Sequence, residues 1–82
     1  MNTISTAAAL QMVAEAFDEP VENLTPDTER DSLGGWDSMG ALTLMAELDE
    51  RFGIVLTAEQ SAEMRHIRDV LALLQTHGAL SD

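Results

Sequence analysis

The chain contains no cysteine, no lysine and no tyrosine. Without cysteine there is no disulfide framework, no thiolate ligand and no thiol nucleophile, so any thiol chemistry must use a thiol from elsewhere. Without lysine, the four basic residues are all arginine; they face fifteen acidic residues, for a net charge of −11. That balance argues against DNA or RNA, whose phosphates need clustered Lys and Arg. It also argues against an anionic membrane surface. No apolar run approaches the length of a membrane span, and residues 1–17 lack the basic start of a signal peptide, so a cytoplasmic protein is expected. Aromatic residues are only 4% of the chain, namely Trp36, Phe17 and Phe52. The core must therefore be built from Leu, Met, Ile, Val and Ala, with methionine filling irregular gaps.

What is present is enough for one small domain, 1–82, with 45% hydrophobic residues in 82, a share suited to a packed core rather than a disordered tail. Ile4, Ala7, Ala8, Leu10, Val13, Ala14 and Phe17 recur at helical spacing and predict a first helix over 3–17, capped by Asn2, Thr3 or Ser5 and ended at Asp18-Glu19-Pro20. Residues 18–36 form a long acidic connection without regular structure, tucked down by Val21, Leu24 and Leu33. A second helix is predicted over 38–52, with Ala41, Met45, Leu48 and Phe52 on one face and Gly53 as its stop. Ile54-Val55-Leu56 reads as a buried connector. Thr57-Ala58-Glu59-Gln60 matches a capping box and starts a short third helix to about Met64. Ile67, Val70, Leu71 and Leu74 define a fourth, ending near Gly78 with a frayed tail. The expected fold is all-α: a small four-helix bundle of three longer helices, one short third helix and a long first loop.

Leu33-Gly34-Gly35-Trp36-Asp37-Ser38-Met39 is the stretch that draws attention. Two glycines permit a turn, and Asp37 and Ser38 both suit a helix start, where a short side-chain oxygen satisfies an orphan N–H. Other chemistry fails on spacing. Asp27, Glu29 and Asp31 alternate like a calcium loop, but positions 6 and 12 hold Ser32 and Ser38 instead of Gly and Glu. His66 and His77 match no zinc spacing, and no phosphate-binding glycine loop is present. A Ser38–His66–Asp hydrolase has little room for a substrate pocket and an oxyanion hole in a domain this small. An unmodified acidic module that binds a basic partner is a further reading.

On these residues the chain resembles the acyl carrier proteins. The likeness rests on Asp37-Ser38-Met39 at the start of the second helix, then Leu42, Leu44 and Leu48-Asp49-Glu50. Phe52-Gly53-Ile54 follows fourteen residues after the serine, and Leu56 comes next. Size, acidity, the long first loop and the short third helix agree with it. The resemblance implies a carrier of the stand-alone type, not a catalyst. Ser38 would be esterified by a 4′-phosphopantetheine from coenzyme A through a separate phosphopantetheinyl transferase and magnesium. The arm's thiol would hold acyl or polyketide intermediates; an aminoacyl or peptidyl carrier of the same fold is the alternative. A serine at a helix N-terminus suits a phosphodiester electrostatically. Asp37 is implied as helix cap and as transferase and magnesium recognition.

Partner docking is implied at Trp36, Met39, Asp49 and Glu50, against basic patches on acyl-transferring, ligase or synthase enzymes. Leu48, Leu56, Ala62, Met64 and Ile67 are candidates for lining an acyl chain, though each also fits ordinary core. Gly40, Thr43 and Arg51 stand where carriers of general fatty acid synthesis often have acids, and Trp36 looks more like carriers of secondary metabolism. No metal site, nucleic acid or membrane is expected, and the protein is expected to be a monomer.

Overall fold

The computed structural model describes residues 2–82. Four helices follow in order: α1 Thr6–Phe17, α2 Ser38–Phe52, α3 Ala58–Glu63 and α4 Ile67–Thr76. The fold is a small helical bundle with three longer helices and a short third one, and α2 has the bounds expected of it. The first loop is less irregular than its composition suggests, since it contains two single 3-10 turns, Val21–Asn23 and Arg30–Ser32.

Each helix begins where a side chain can take an orphan N–H. Ser5 Oγ accepts from Ala8 N at 3.1 Å, so α1 starts at Thr6 and Ile4 lies outside it. Thr57 and Gln60 form the expected capping box on α3, with bonds of 3.1 and 3.0 Å. At the start of α4, Asp69 Oδ2 reaches back to accept the N–H groups of Arg65 and His66 at 2.8 and 3.0 Å. Helix α1 ends on Asp18, which adopts a left-handed conformation at φ 55°, while Glu19 N–H bonds the Ala14 carbonyl at 2.9 Å. The stop is thus a left-handed cap on Asp18, a residue type that tolerates this region; Pro20 lies beyond it.

The buried face departs from the periodicity reading in α1, while in α2 the expected Ala41 and Leu48 are buried and Met45 and Phe52 pack against the core. In α1 the buried residues are Ala9, Met12, Val13, Ala14 and Phe17, whereas Ala7 and Ala8 face solvent. In α2 Leu44 is buried with Ala41 and Leu48, while Leu42 is 59% exposed. Helix α4 buries all four residues expected of it: Ile67, Val70, Leu71 and Leu74. The connector after α2 buries Ile54 and Leu56 but leaves Val55 77% exposed, because an extended tripeptide alternates its side chains.

Two long-range ties lie outside the helices. The loop at 26–30 runs antiparallel to the α3–α4 connection: Arg30 N–H to Arg65 O at 2.7 Å, Ile67 N–H to Thr28 O at 3.1 Å and Arg68 N–H to Pro26 O at 2.8 Å. The tail is not frayed. Ile4 N–H bonds Ala79 O at 2.8 Å, Ser81 N–H bonds Ile4 O at 2.9 Å, and Asp82 Oδ1 accepts from Thr6 N and Oγ1 at 2.7 and 3.0 Å. Both ties join segments far apart in sequence, which local patterning does not reveal.

Gly35 and Gly40 hold α2 against the end of α1. A Cβ at Gly35 would fall inside the Phe17 carbonyl. One at Gly40 would fall inside the Gly35 carbonyl and lie 3.0 Å from Phe17 Cδ1. Neither has a positive φ, so the requirement here is close approach, not turn geometry. Gly34 has nothing within 4 Å of such a Cβ.

Two predictions follow the packing. Gly35→Ala lowers stability by about 3 kcal/mol through overpacking, and Gly34→Ala stays within about 0.5 kcal/mol; urea unfolding compares them. The second concerns Asp69, whose pKa is held below the ordinary carboxylate value by the backbone bond from Arg65 and then that from His66, against partial desolvation. A lowered native pKa stabilises the fold above the unfolded value and is lost as pH falls through the native one. Asp69→Asn therefore costs about 1 kcal/mol at pH 7, and the gap to wild type closes as the pH falls below about 4.

Candidate functional site

Asp37 caps α2. Its Oδ1 accepts Gly40 N–H at 2.9 Å, and its carbonyl accepts Ala41 N–H at 2.9 Å. The N–H groups of Ser38 and Met39 are left without a protein acceptor among the described residues. Ser38, the first helical residue, is exposed. An exposed hydroxyl therefore sits beside two free N–H groups at the positive end of a fifteen-residue helix, a setting that suits a phosphate ester.

Beneath the junction, Trp36 is buried at 4% exposure. Its ring stacks on Phe17 with centroids 4.9 Å apart and planes at 20°, and the Arg30 guanidinium carbon lies 5.3 Å from the ring centroid. This corrects the expectation of Trp36 as a docking residue: its ring packs inward, under the site. Met39 is 72% exposed, and Asp49 and Glu50 are exposed on the same helix.

Two depressions flank the start of α2. One, of about 410 Å³, lies toward the end of α1 and includes Asp18, Glu19, Asp37 and Met39 in its walls. The other is a groove of about 300 Å³ between α2 and α3. Ser38 stands in its wall, with Ala41, Leu42 and Met45 of α2, Ala58, Ser61 and Ala62 of α3, and Arg30 of the first loop. Of the five residues proposed to line an acyl chain, only Ala62 lies on this groove. Leu48, Leu56, Met64 and Ile67 are core residues, exposed by 8% or less, and do not line this groove. Sequence reasoning missed Arg30, which stands alone in an acidic loop with no periodicity to mark its direction. His66, considered as a partner for Ser38, does not line the groove; its Nε2 is 4.0 Å from Glu29 Oε1.

With this geometry in hand, comparison with known families gives one assignment. The profile of the PP-binding family, described as a phosphopantetheine attachment site, matches residues 7–74. The chain belongs to this family of carrier domains, which bear a covalently attached 4′-phosphopantetheine and are not catalysts. No curated protein and no solved structure gives a significant match.

The double role expected of Asp37 can be divided by substitution. Asp37→Ala loses the cap and about 1 kcal/mol of stability, whereas Asp37→Asn keeps the cap and stays within a few tenths. Thermal unfolding of the two variants checks this, with about 4–8 °C expected for each kcal/mol in a domain of this size.

Proposed function

We propose that residues 1–82 act as one carrier domain in which Ser38 bears the 4′-phosphopantetheine arm, and that the arm presents acyl or polyketide intermediates as thioesters. The observation that carries the assignment to Ser38 is its exposed hydroxyl beside the free Ser38 and Met39 N–H groups, within the span matched to the family. In the loading step Ser38 Oγ bonds to the pantetheine-bearing phosphorus of coenzyme A. The bond from that phosphorus to the adenosine 3′,5′-bisphosphate oxygen breaks, and the hydroxyl proton passes to a base of the separate transferase. When bound, the arm supplies the thiol that the chain lacks.

The chain's own part is placement. The helix terminus favours the phosphodiester, and the exposed Met39, Asp49 and Glu50 present a mixed apolar and acidic face to basic patches of partner enzymes. The charge of −11 supports acyl over aminoacyl cargo as the first reading. It also supports a monomer, since like charge keeps copies apart; a cytoplasmic location is proposed on the lack of a basic signal-peptide start in residues 1–17. Among the described residues no helix is long and apolar enough to cross a membrane.

Incubation with coenzyme A and a promiscuous phosphopantetheinyl transferase should add one arm to the wild type by intact mass and none to Ser38→Ala. An unchanged wild-type mass would sink the proposal. Asp37→Asn, still folded, should load about tenfold more slowly, as expected for loss of one charge-assisted contact; the time course of the mass shift measures it. The cargo itself is identified by mass spectrometry of thioesters captured from cells.

A further inference from the structure

Arg30 is the one charged side chain in the wall of the α2–α3 groove, and its bonding is incomplete. Of the other three arginines, Arg51 pairs with Glu47 at 2.7 Å and Arg68 with Asp27 at 2.8 Å, while Arg65 is exposed to solvent and lines no groove. Arg30 has no carboxylate within 4.0 Å among the described residues. Its Nη1 donates to the carbonyls of Ser61 and Met64 at the end of α3, at 3.0 and 3.5 Å, and its guanidinium carbon lies over the Trp36 ring, 5.3 Å from the centroid. A guanidinium carries five N–H donors. The three on Nε and Nη2 have no protein acceptor among the described residues. The rest of the groove is small or apolar, without a carboxylate.

We infer that Arg30 makes this groove a cargo-reading site for short acyl groups that carry a carboxylate, the carboxylate pairing with the guanidinium while the connecting carbons lie along Leu42 and Met45. This rests on Ser38 bearing the arm. An all-hydrocarbon cargo would cover the free guanidinium donors and give them nothing in return, which is unfavourable. A carboxylate satisfies them with charge-assisted, bidentate geometry. A free anion would be repelled by the acidic domain, but a tethered one is held at high effective concentration beside the groove. Size points the same way. About 300 Å³ is at the small end of ligand sites, and the helix rise from Ser38 to Met45 allows about 10 Å of length.

The test uses the full chain with its arm in three states: free thiol, pentanoyl thioester and glutaryl thioester, the last two of equal carbon number. Readouts are the Arg30 Nε–H signal by NMR, the emission of the single tryptophan beneath it, and the rate of thioester cleavage by hydroxylamine. The glutaryl form should move both spectroscopic signals and be cleaved about threefold more slowly than the pentanoyl form. Half-molar salt should shrink that difference in the wild type, and Arg30→Gln should remove it. Equal behaviour of the two acyl forms would overturn the inference. So would an Arg30 shift just as large with the free thiol, because the guanidinium would then be reading the arm and not its cargo. Failure of the chain to take an arm at all is seen first by mass and counts against the carrier assignment instead.

Discussion

The contact between the end of α1 and the Gly35–Gly40 seam decides where Ser38 stands. Backbone meets backbone there: the Phe17 carbonyl fills the space a Gly35 side chain would need, and the Gly35 carbonyl fills that of Gly40. Helix α2 can then begin only at this depth, with Asp37 and Ser38 just clear of the surface. A side-by-side stack extends the same seam. Phe17 lies on Trp36, Trp36 on Arg30, and Arg30 on the carbonyls that close α3. Three helices are therefore tied together directly below the serine, in a protein with only three aromatic side chains. With the arm on Ser38, as proposed, this floor would keep the point of attachment constant while the cargo moves.

The two sides of α2 differ in charge. Toward α1 the walls carry Asp18, Glu19 and Asp37; toward α3 they carry Arg30 and no acid. A domain of −11 thus presents its hydroxyl at a boundary between an acidic notch and a single cation. The helix terminus adds fixed partial positive charge at the same boundary. On the proposed reading, the overall field would steer partners with basic patches, while a tethered anion a few ångströms away would meet the local cation. The long-range and short-range fields do not conflict, because salt screens the first over roughly 10 Å and the groove walls shelter the second.

The main outline was legible in the residues. Fold class, the bounds of α2, the Thr57–Gln60 box and the buried face of α4 all follow from period and capping, which are local properties. The Asp37–Ser38 junction was legible for the same reason. What local patterning does not hold is the pairing of segments distant in sequence. The antiparallel run of 26–30 against the α3–α4 connection gives no alternation to read, and neither does the tie of Ile4 and Thr6 to residues 79–82. Trp36 and Arg30 are instructive together. A large aromatic beside a candidate attachment serine reads equally well as a docking residue or as packing, and a lone arginine in an acidic loop reads as solvated. Only their mutual stacking shows that one is floor and the other is wall. Gly40 shows the reverse case: judged by charge it is a missing acid, and judged by space it is the residue that lets α2 reach Phe17.

Helix α3 is the element for which these ties matter most. Six residues cannot hold a helix by themselves, since nucleation is unfavourable and few bonds follow. Only Ser61 of its residues is buried, so little apolar packing holds it either. Its start is held by Thr57 and Gln60, and its end by Arg30 at the Ser61 and Met64 carbonyls. The side chain that closes one end of α3 is thus the same one that lines the groove α3 covers. Because Nη1 serves the helix and Nε and Nη2 are free, a carboxylate can bind without first breaking the closure, and binding adds an opposite charge to a guanidinium already oriented by Trp36. Preorganisation of this kind lowers the cost of ordering a long side chain. It is also why a neutral replacement at Arg30 acts on the helix end and on the groove at once, and why the comparison of cargoes on the unaltered chain isolates the second effect.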